Sequence, residues 1–341
     1  MMKTSLYKVE GNKIRCTACF RYCLLSEGQN GFCGVRSNIN NAMDLNVYNM
    51  PYSFNIDPIE KKPVLHMYPG TRILSFGTTG CNFACAYCQN YDMSQRRKAE
   101  GLHCTPEDVV NLALEYGVDG IAYTYNEPTI FMEYAHDIGI IAKKHNLINV
   151  FVTNGYETDE SMKMASEFLD SMTIDFKGNG NDNFYKKYIS IPYAKNIYNT
   201  MKNARKYKIH TEITDLVIPE VGDDLGDAEH LIRNVIDILG DDTPISFLRY
   251  HPDYKMSIPY TPLETLIRHY KLAMDMGMKY VYLGNVPEAN YENTYCPGCK
   301  ALLIKRSGFN SKLINIDING KCKSCGYDTK IIIKKNRTVL N

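Results

Sequence analysis

From residue 73 onward, short apolar runs alternate with longer stretches whose apolar positions recur every three or four residues. The short runs fall near 73–77, 120–125, 148–153, 171–176, 209–218, 244–250 and 279–284 and predict strands. The longer stretches, over 106–116, 128–145, 160–169, 196–207, 228–239 and 263–276, predict helices. Thr105-Pro106-Glu107-Asp108 marks one helix start plainly: a capping hydroxyl, proline in the first turn, acids at the positive end. Repeated strand–helix units imply a parallel sheet joined by right-handed crossovers. Six or seven units suit a partial (βα)6-type TIM barrel, an α/β fold, better than a closed eight.

The pattern changes at both ends. Residues 1–70 form a small cysteine-rich segment, with a strand expected over 45–48 and an extended loop over 56–63, where Pro58 and Pro63 restrict their predecessors. Residues 71–286 hold the barrel. Residues 287–341 carry two cysteine pairs with strand-like stretches at 301–304 and 313–318 between them, a zinc-ribbon-like domain.

In a barrel of this kind, the loops leaving the C-terminal ends of the strands build the site. Those ends deliver Asn126-Glu127-Pro128, Thr153-Asn154-Gly155, Asp175-Phe176-Lys177 and Arg249-Tyr250-His251. Alternation puts Asp175 and Lys177 on one face of their strand. Glu212 and His251 are placed by position to line the site. Lys62 and His66, in the stretch before the barrel, could reach the active site, with surface positions the commoner expectation.

Composition narrows the chemistry. With 44% apolar and 23% charged residues, the chain reads as globular, and it has no apolar run long enough for a membrane span. Its first residues lack the apolar stretch of a signal peptide, so a soluble, cytoplasmic protein is expected. Twelve cysteines then point to metal rather than disulfides, because they cluster in CxxC-type spacings. Cys81, Cys85 and Cys88 follow the first strand at Cys-x3-Cys-x2-Cys. Thiolates are the usual holders of iron–sulfur clusters, and three of them leave one iron of a cubane open for chemistry. Cys16, Cys19, Cys23 and Cys33 suit a tetrahedral zinc or a second iron–sulfur cluster. Cys296, Cys299, Cys322 and Cys325 have zinc-ribbon spacing, with a rubredoxin-like iron as the alternative. Cys104 stands alone, a small residue ahead of a helix.

Net charge is +1, but from Cys296 onward ten basic residues face two acids, leaving the tail at +8 and the remainder at −7. Such a tail is a solvated face or a surface for an anionic partner such as RNA.

The triplet, with Tyr87 before its last cysteine, resembles radical S-adenosylmethionine (SAM) enzymes. The stretches from Ile56 to Pro63, Cys88-Gln89-Asn90 and Tyr125-Asn126-Glu127-Pro128-Thr129, with the two outer cysteine sets, resemble the AmmeMemoRadiSam-system radical SAM enzymes. These are relatives of the pyruvate formate-lyase activating enzyme. The likeness runs from about Cys16 to Cys325. It implies a [4Fe-4S] cluster on Cys81, Cys85 and Cys88 and SAM as cofactor, with zinc at the C-terminal set. Asn126 and Glu127 would lie in the loop meeting the SAM amino group, and Asn154 on its ribose side. Asp175 and Lys177 would face its carboxylate, and Tyr87 its adenine. Tyr125-Asn126 stands where Gly-Gly is common in that loop. Lys177 and His251 are the candidate catalytic groups.

The implied function is reductive cleavage of SAM to a 5′-deoxyadenosyl radical that takes hydrogen from a substrate, as glycyl-radical-enzyme activases do. Modification of RNA, a peptide or a small metabolite is the alternative, and a non-catalytic metal-binding scaffold is the competing class. A one-electron donor of ferredoxin or flavodoxin type is the implied partner, with AMMECR-type and Memo-type proteins as companions.

Overall fold

The computed structural model describes residues 2–287 and 289–334. Lys335 and Arg337 of the basic tail lie outside these residues.

Eight strands make the central sheet, in chain order across it: β1 (Ser53–Pro58), β2 (Arg72–Gly77), β3 (Gly120–Tyr123), β4 (Ile148–Thr153), β5 (Ser171–Lys177), β6 (His210–Val217), β7 (Ile245–Arg249) and β8 (Val281–Gly284). From β2 to β8 all neighbours are parallel. A sheet covered on both faces needs strands apolar on both, which is why β4 reads Ile-Asn-Val-Phe-Val-Thr and is almost wholly buried. Helices Pro106–Glu115, Met132–Lys144, Asp159–Ala165, Lys195–Lys206, Leu225–Leu239 and Leu263–Asp275 fill the six crossovers. Thr105 closes a capping box on the first: its hydroxyl accepts from Asp108 N at 3.2 Å, and the Asp108 carboxylate accepts from Thr105 N at 2.8 Å. The helix expected over 128–145 begins with a 3-10 turn, Pro128–Phe131, and the one expected over 160–169 stops at Ala165.

Two expectations for the first segment are overturned. Residues 56–58 of the expected loop belong instead to the antiparallel edge strand β1, with Phe54 opposite Phe76 and Asp57 opposite Ile73. Pro58 ends that strand on the edge, where the ladder needs no N–H from it. Lys62 and His66 are not on the surface; each is about 2% exposed. The sheet is open between β1 and β8, and the chain after β1 turns back into that gap. Glu212 on β6 accepts from the backbone N–H of Leu65 at 2.9 Å and of His66 at 2.8 Å. His66 Nε2 lies 2.7 Å from the Tyr282 hydroxyl of β8.

The ends of the chain pack onto this frame. Near the N-terminus, Tyr7–Glu10, Lys13–Cys16 and Leu24–Leu25 form one antiparallel sheet, and Met2–Lys3, Ala42–Leu45 and Arg36–Ile39 another. The strand expected over 45–48 is therefore displaced, ending at Leu45. Buried Arg36 locks this region to the barrel, donating to Ile130 O at 2.8 Å and to the Glu133 carboxylate at 3.1 Å. At the C-terminus, Thr294–Tyr295, Leu302–Ser307 and Asn310–Leu313 form a small antiparallel sheet; the second strand expected there ends at Leu313. Among the described residues, no helix is long and apolar enough to cross a membrane.

Candidate active site

A cavity of about 750 Å³ opens inside the sheet, lined by Cys81, Cys85 and Cys88 and by residues near the C-terminal ends of the parallel strands. Glycines let the triplet sit there. A Cβ on Gly77 would strike the carbonyl of Thr124, so only glycine lets β2 end beneath the 124–126 loop. Gly80 has φ +87° and lies against the carbonyl of Cys33. Asn126 then pins the entry, donating to Gly80 O at 2.8 Å and to the Thr78 hydroxyl at 3.1 Å. The triplet loop itself is held by Ala84 N to Ile189 O at 3.0 Å, Ala86 N to Tyr188 O at 2.8 Å, and Asn154 Nδ2 to Asn82 Oδ1 at 2.7 Å.

The thiols suit deprotonation by metal rather than free titration. Burial pushes Cys81 well above the usual thiol range and Cys85 up to about 12, with Lys177 opposing the rise at Cys85. The Phe83 N–H reaches Cys81 Sγ at 3.4 Å, a donor for a sulfur that carries charge. Among the described residues lining the cavity there is no fourth cysteine. The three sulfurs do not fall within 4.8 Å of one another, a closeness found among the described residues in the C-terminal cysteine set. Three thiols lining one cavity could hold a polynuclear cluster with one open iron.

Tyr87, Asn126, Asn154, Asp175, Lys177 and His251 all line the cavity. Lys177 Nζ lies 3.6 Å from Asp175 Oδ2. Burial works against its ammonium, but Asp175 and the thiols of Cys85 and Cys88 outweigh it, so its pKa is raised. Tyr87 packs 5.9 Å from the Phe184 ring and 6.2 Å from that of Tyr250. His251 meets the Gln89 side chain.

Two placements are corrected. Glu127 does not reach the cavity. It is wholly buried, accepting from Asn154 N at 2.7 Å and from the Thr129 and Thr153 hydroxyls at 2.6 and 2.9 Å. Those hydroxyls also contact Glu157. Glu212 is likewise structural, tying down residues 65 and 66 as described above.

Lys62, which the sequence allowed to reach the site, does so, while other wall residues were not read as site groups from the sequence. Lys62, on the cavity, donates to Asp57 at 2.7 Å, and Asp57 also accepts from Lys61 and from the Tyr125 hydroxyl at 2.9 Å each. Arg306 and Phe309 reach the same wall from the C-terminal sheet. Arg306 is 2% exposed and donates to Leu65 O and Glu292 O at 2.8 Å each. No periodicity announces these residues, because their elements join the barrel only in three dimensions. Of the basic tail, Arg306 is thus internal, while Lys330 and Lys334 pair with Asp328 and Asp119.

The outer cysteines differ from each other. Cys296 and Cys325 sulfurs lie 3.6 Å apart, and those of Cys299 and Cys322 3.7 Å, all four within 4.8 Å. Cys16, Cys19, Cys23 and Cys33 are free thiols, of which Cys16, Cys19 and Cys33 are buried.

Comparison with known proteins agrees with this geometry. The family model described as the radical SAM superfamily matches residues 76–232. The chain is 44% identical over 330 residues to an uncharacterized protein of Methanocaldococcus jannaschii, spanning 96% of this chain and 98% of that one. Its fold is similar to a radical SAM methyltransferase from Sphaerobacter thermophilus, with TM-score 0.51 and 15% identity over 63% of this chain and 67% of that one. It is similar also to Streptococcus suis SuiB bound to S-adenosylmethionine, with TM-score 0.50 and 11% identity over 67% and 53% of the two chains.

Proposed function

We propose that the chain, whose residues 76–232 match the radical SAM superfamily, cleaves SAM reductively on a [4Fe-4S] cluster held by Cys81, Cys85 and Cys88. The 5′-deoxyadenosyl radical so made would abstract hydrogen from its substrate, as in glycyl-radical-enzyme activases. One observation carries this reading: the three thiols line one cavity with Asp175, Lys177 and Asn154. The cluster, when bound, supplies an open iron for the amino and carboxylate groups of SAM and one electron for its sulfonium.

The chain's own residues orient and enclose. Lys177, kept charged beside Asp175, offers a fixed cation to the SAM carboxylate. Asn154 is preset by Asn82 for a ribose hydroxyl, and Tyr87 offers an apolar face for the adenine. His251, also on the cavity wall, is the candidate proton carrier. A cavity of about 750 Å³ has room for a second ligand beside SAM.

For the C-terminal set we assign zinc. Four ligands about 2.3 Å from one ion in a tetrahedron stand about 3.8 Å apart, and the Cys296–Cys325 and Cys299–Cys322 sulfur separations are 3.6 and 3.7 Å. Four thiolates leave no open position, so the site is structural. It holds the hairpin that brings Arg306 and Phe309 to the cavity.

The test is SAM cleavage by the anaerobically reconstituted, reduced protein against its Cys85→Ala variant. Deoxyadenosine and methionine from the wild type alone are expected. No product, together with no change in the cluster's paramagnetic resonance on adding SAM, would sink the reading.

A further inference from the structure

The four N-terminal cysteines are neighbours in the fold. A Cβ on Gly31 would lie 3.8 Å from both Cys23 Sγ and Cys33 Sγ, so these two sulfurs flank one point. Cys16, Cys23 and Cys33 all bear electrostatically on the buried Cys19 thiol. Yet among the described residues no three of these sulfurs fall within 4.8 Å of one another, as the C-terminal four do. Four thiolates on four different metal atoms stand wider apart than four thiolates on one.

The surroundings suit an anionic, sulfur-rich group. Backbone N–H groups of Ala18, Arg21 and Val35 face Cys16, Cys19 and Cys33, and Phe32 N reaches Cys23 Sγ at 3.5 Å. Arg36 lies near Cys16 and Cys33, and Arg21 near Cys19 and Cys23. Thiolate ligands with converging N–H donors and cations are the conditions under which iron–sulfur clusters are held and their potentials set.

The set also abuts the triplet. The carbonyl of Cys33 touches Gly80, the residue before Cys81. Phe32 is sandwiched by Arg21 at 3.5 Å and Arg97 at 3.8 Å. Arg97 sits in the field of both Cys81 and Cys33, and Arg21 binds the carbonyl of Asn82. Phe32, Arg21 and Arg97 thus lie beside both cysteine groups. Cys23 is partly exposed.

From this we infer that Cys16, Cys19, Cys23 and Cys33 hold a second [4Fe-4S] cluster, which carries single electrons to the cluster of the triplet. Its role as a relay rests on the radical SAM reading; the site itself does not. With four thiolates it has no open iron and cannot take SAM. A one-electron protein donor of ferredoxin or flavodoxin class is oxidised, and the second cluster goes from the 2+ to the 1+ state. It returns to 2+ when the neighbouring cluster is reduced, and no bond forms or breaks at it.

Metal analysis and electron paramagnetic resonance of the full chain test this. The reconstituted wild type is expected to hold about eight irons per chain and the Cys81→Ala/Cys85→Ala/Cys88→Ala variant about four. That variant is expected to keep a reducible cluster signal. The Cys23→Ser variant is expected to lose the N-terminal signal and keep the other. The fully reduced wild type should show spin–spin broadening absent from either variant. Four irons in the wild type with none left in the triplet variant, or two zinc ions per chain, would overturn the second cluster. Unbroadened signals would overturn the relay. Eight irons without SAM binding would instead overturn the preceding proposal and leave this site standing.

Discussion

The two four-cysteine sets at the ends of the chain have the same ligand inventory and opposite settings. The C-terminal sulfurs converge within 4.8 Å, with Cys299 and Cys325 exposed. The N-terminal sulfurs are spread and mostly buried, against the loop that carries Cys81. On the proposals above, the C-terminal set holds one ion and the N-terminal set a cluster. The C-terminal set adjoins a small sheet that has little core of its own, chiefly Leu303, Ile304, Ile316 and Ile331. The N-terminal set is continuous with the main apolar core, which includes Cys16, Cys33, Cys81 and Cys85 together.

If that contrast is right, the largest effect comes from breaking the C-terminal set. In a module this small, metal binding is most of the folding free energy, on the order of 10 kcal/mol. Cys322→Ser is expected to unfold residues 294–334 while the barrel stays folded. Limited proteolysis with mass analysis would show cleavage confined to that region. A variant as resistant as the wild type would mean that apolar packing, not metal, holds the sheet.

The N-terminal region should behave oppositely, failing with the barrel rather than alone. Its anchor is the ion pair of Arg36 and Glu133, with side chains 2% and 6% exposed. Removing one partner strands a buried charge, at a cost of about 3–5 kcal/mol. Glu133→Ala is therefore expected to lower the global unfolding free energy by about that amount in urea denaturation followed by circular dichroism. An unchanged midpoint, with only local protease sensitivity near residues 7–39, would make the N-terminal region an independent module and weaken its link to the active site.

What the sequence made legible follows from how each feature is encoded. Strands β2 to β8 and their crossover helices are written in local periodicity. The triplet is written in spacing, and so is the C-terminal set. Strand β1 was hidden because its two flanking prolines read as loop, and an edge strand tolerates Pro58 where an inner one would not. For Lys62 and His66 the surface is the commoner expectation, because a charged or polar residue in a loop is usually solvated. Here the loop returns into the open side of the sheet, where Asp57 and Tyr282 receive them. Glu127 was read from a loop resemblance that places its backbone but not its side chain. Arg306 could not be read at all, since its role exists only once the C-terminal sheet docks beside Leu65.

The smallest expected effect concerns pH, and it separates the barrel from both cysteine sets. Burial, and then the neighbouring Glu157, raise the Glu127 carboxyl from 4.5 to about 8. Burial also raises Asp215, to about 7. In both cases the folded protein keeps a proton that the unfolded chain has already lost. The stability linked to that proton is complete below the unfolded pKa and is lost as pH rises through the folded one. Asp57 has the opposite sign: burial opposes ionisation, but Lys62 and Lys61 outweigh it and hold the carboxyl low, so its contribution fades only in acid. Below about pH 6.5 the buried His66 and His269, held low by burial, oppose the trend set by Glu127 and Asp215; between about pH 6.5 and 8 the urea midpoint should therefore fall with rising pH. Glu127→Gln cannot ionise and should flatten part of that slope, leaving the share of Asp215. A midpoint that rises over this range would show that the buried pair holds its charge, and that Thr129, Thr153 and the Asn154 N–H solvate it more fully than their geometry implies.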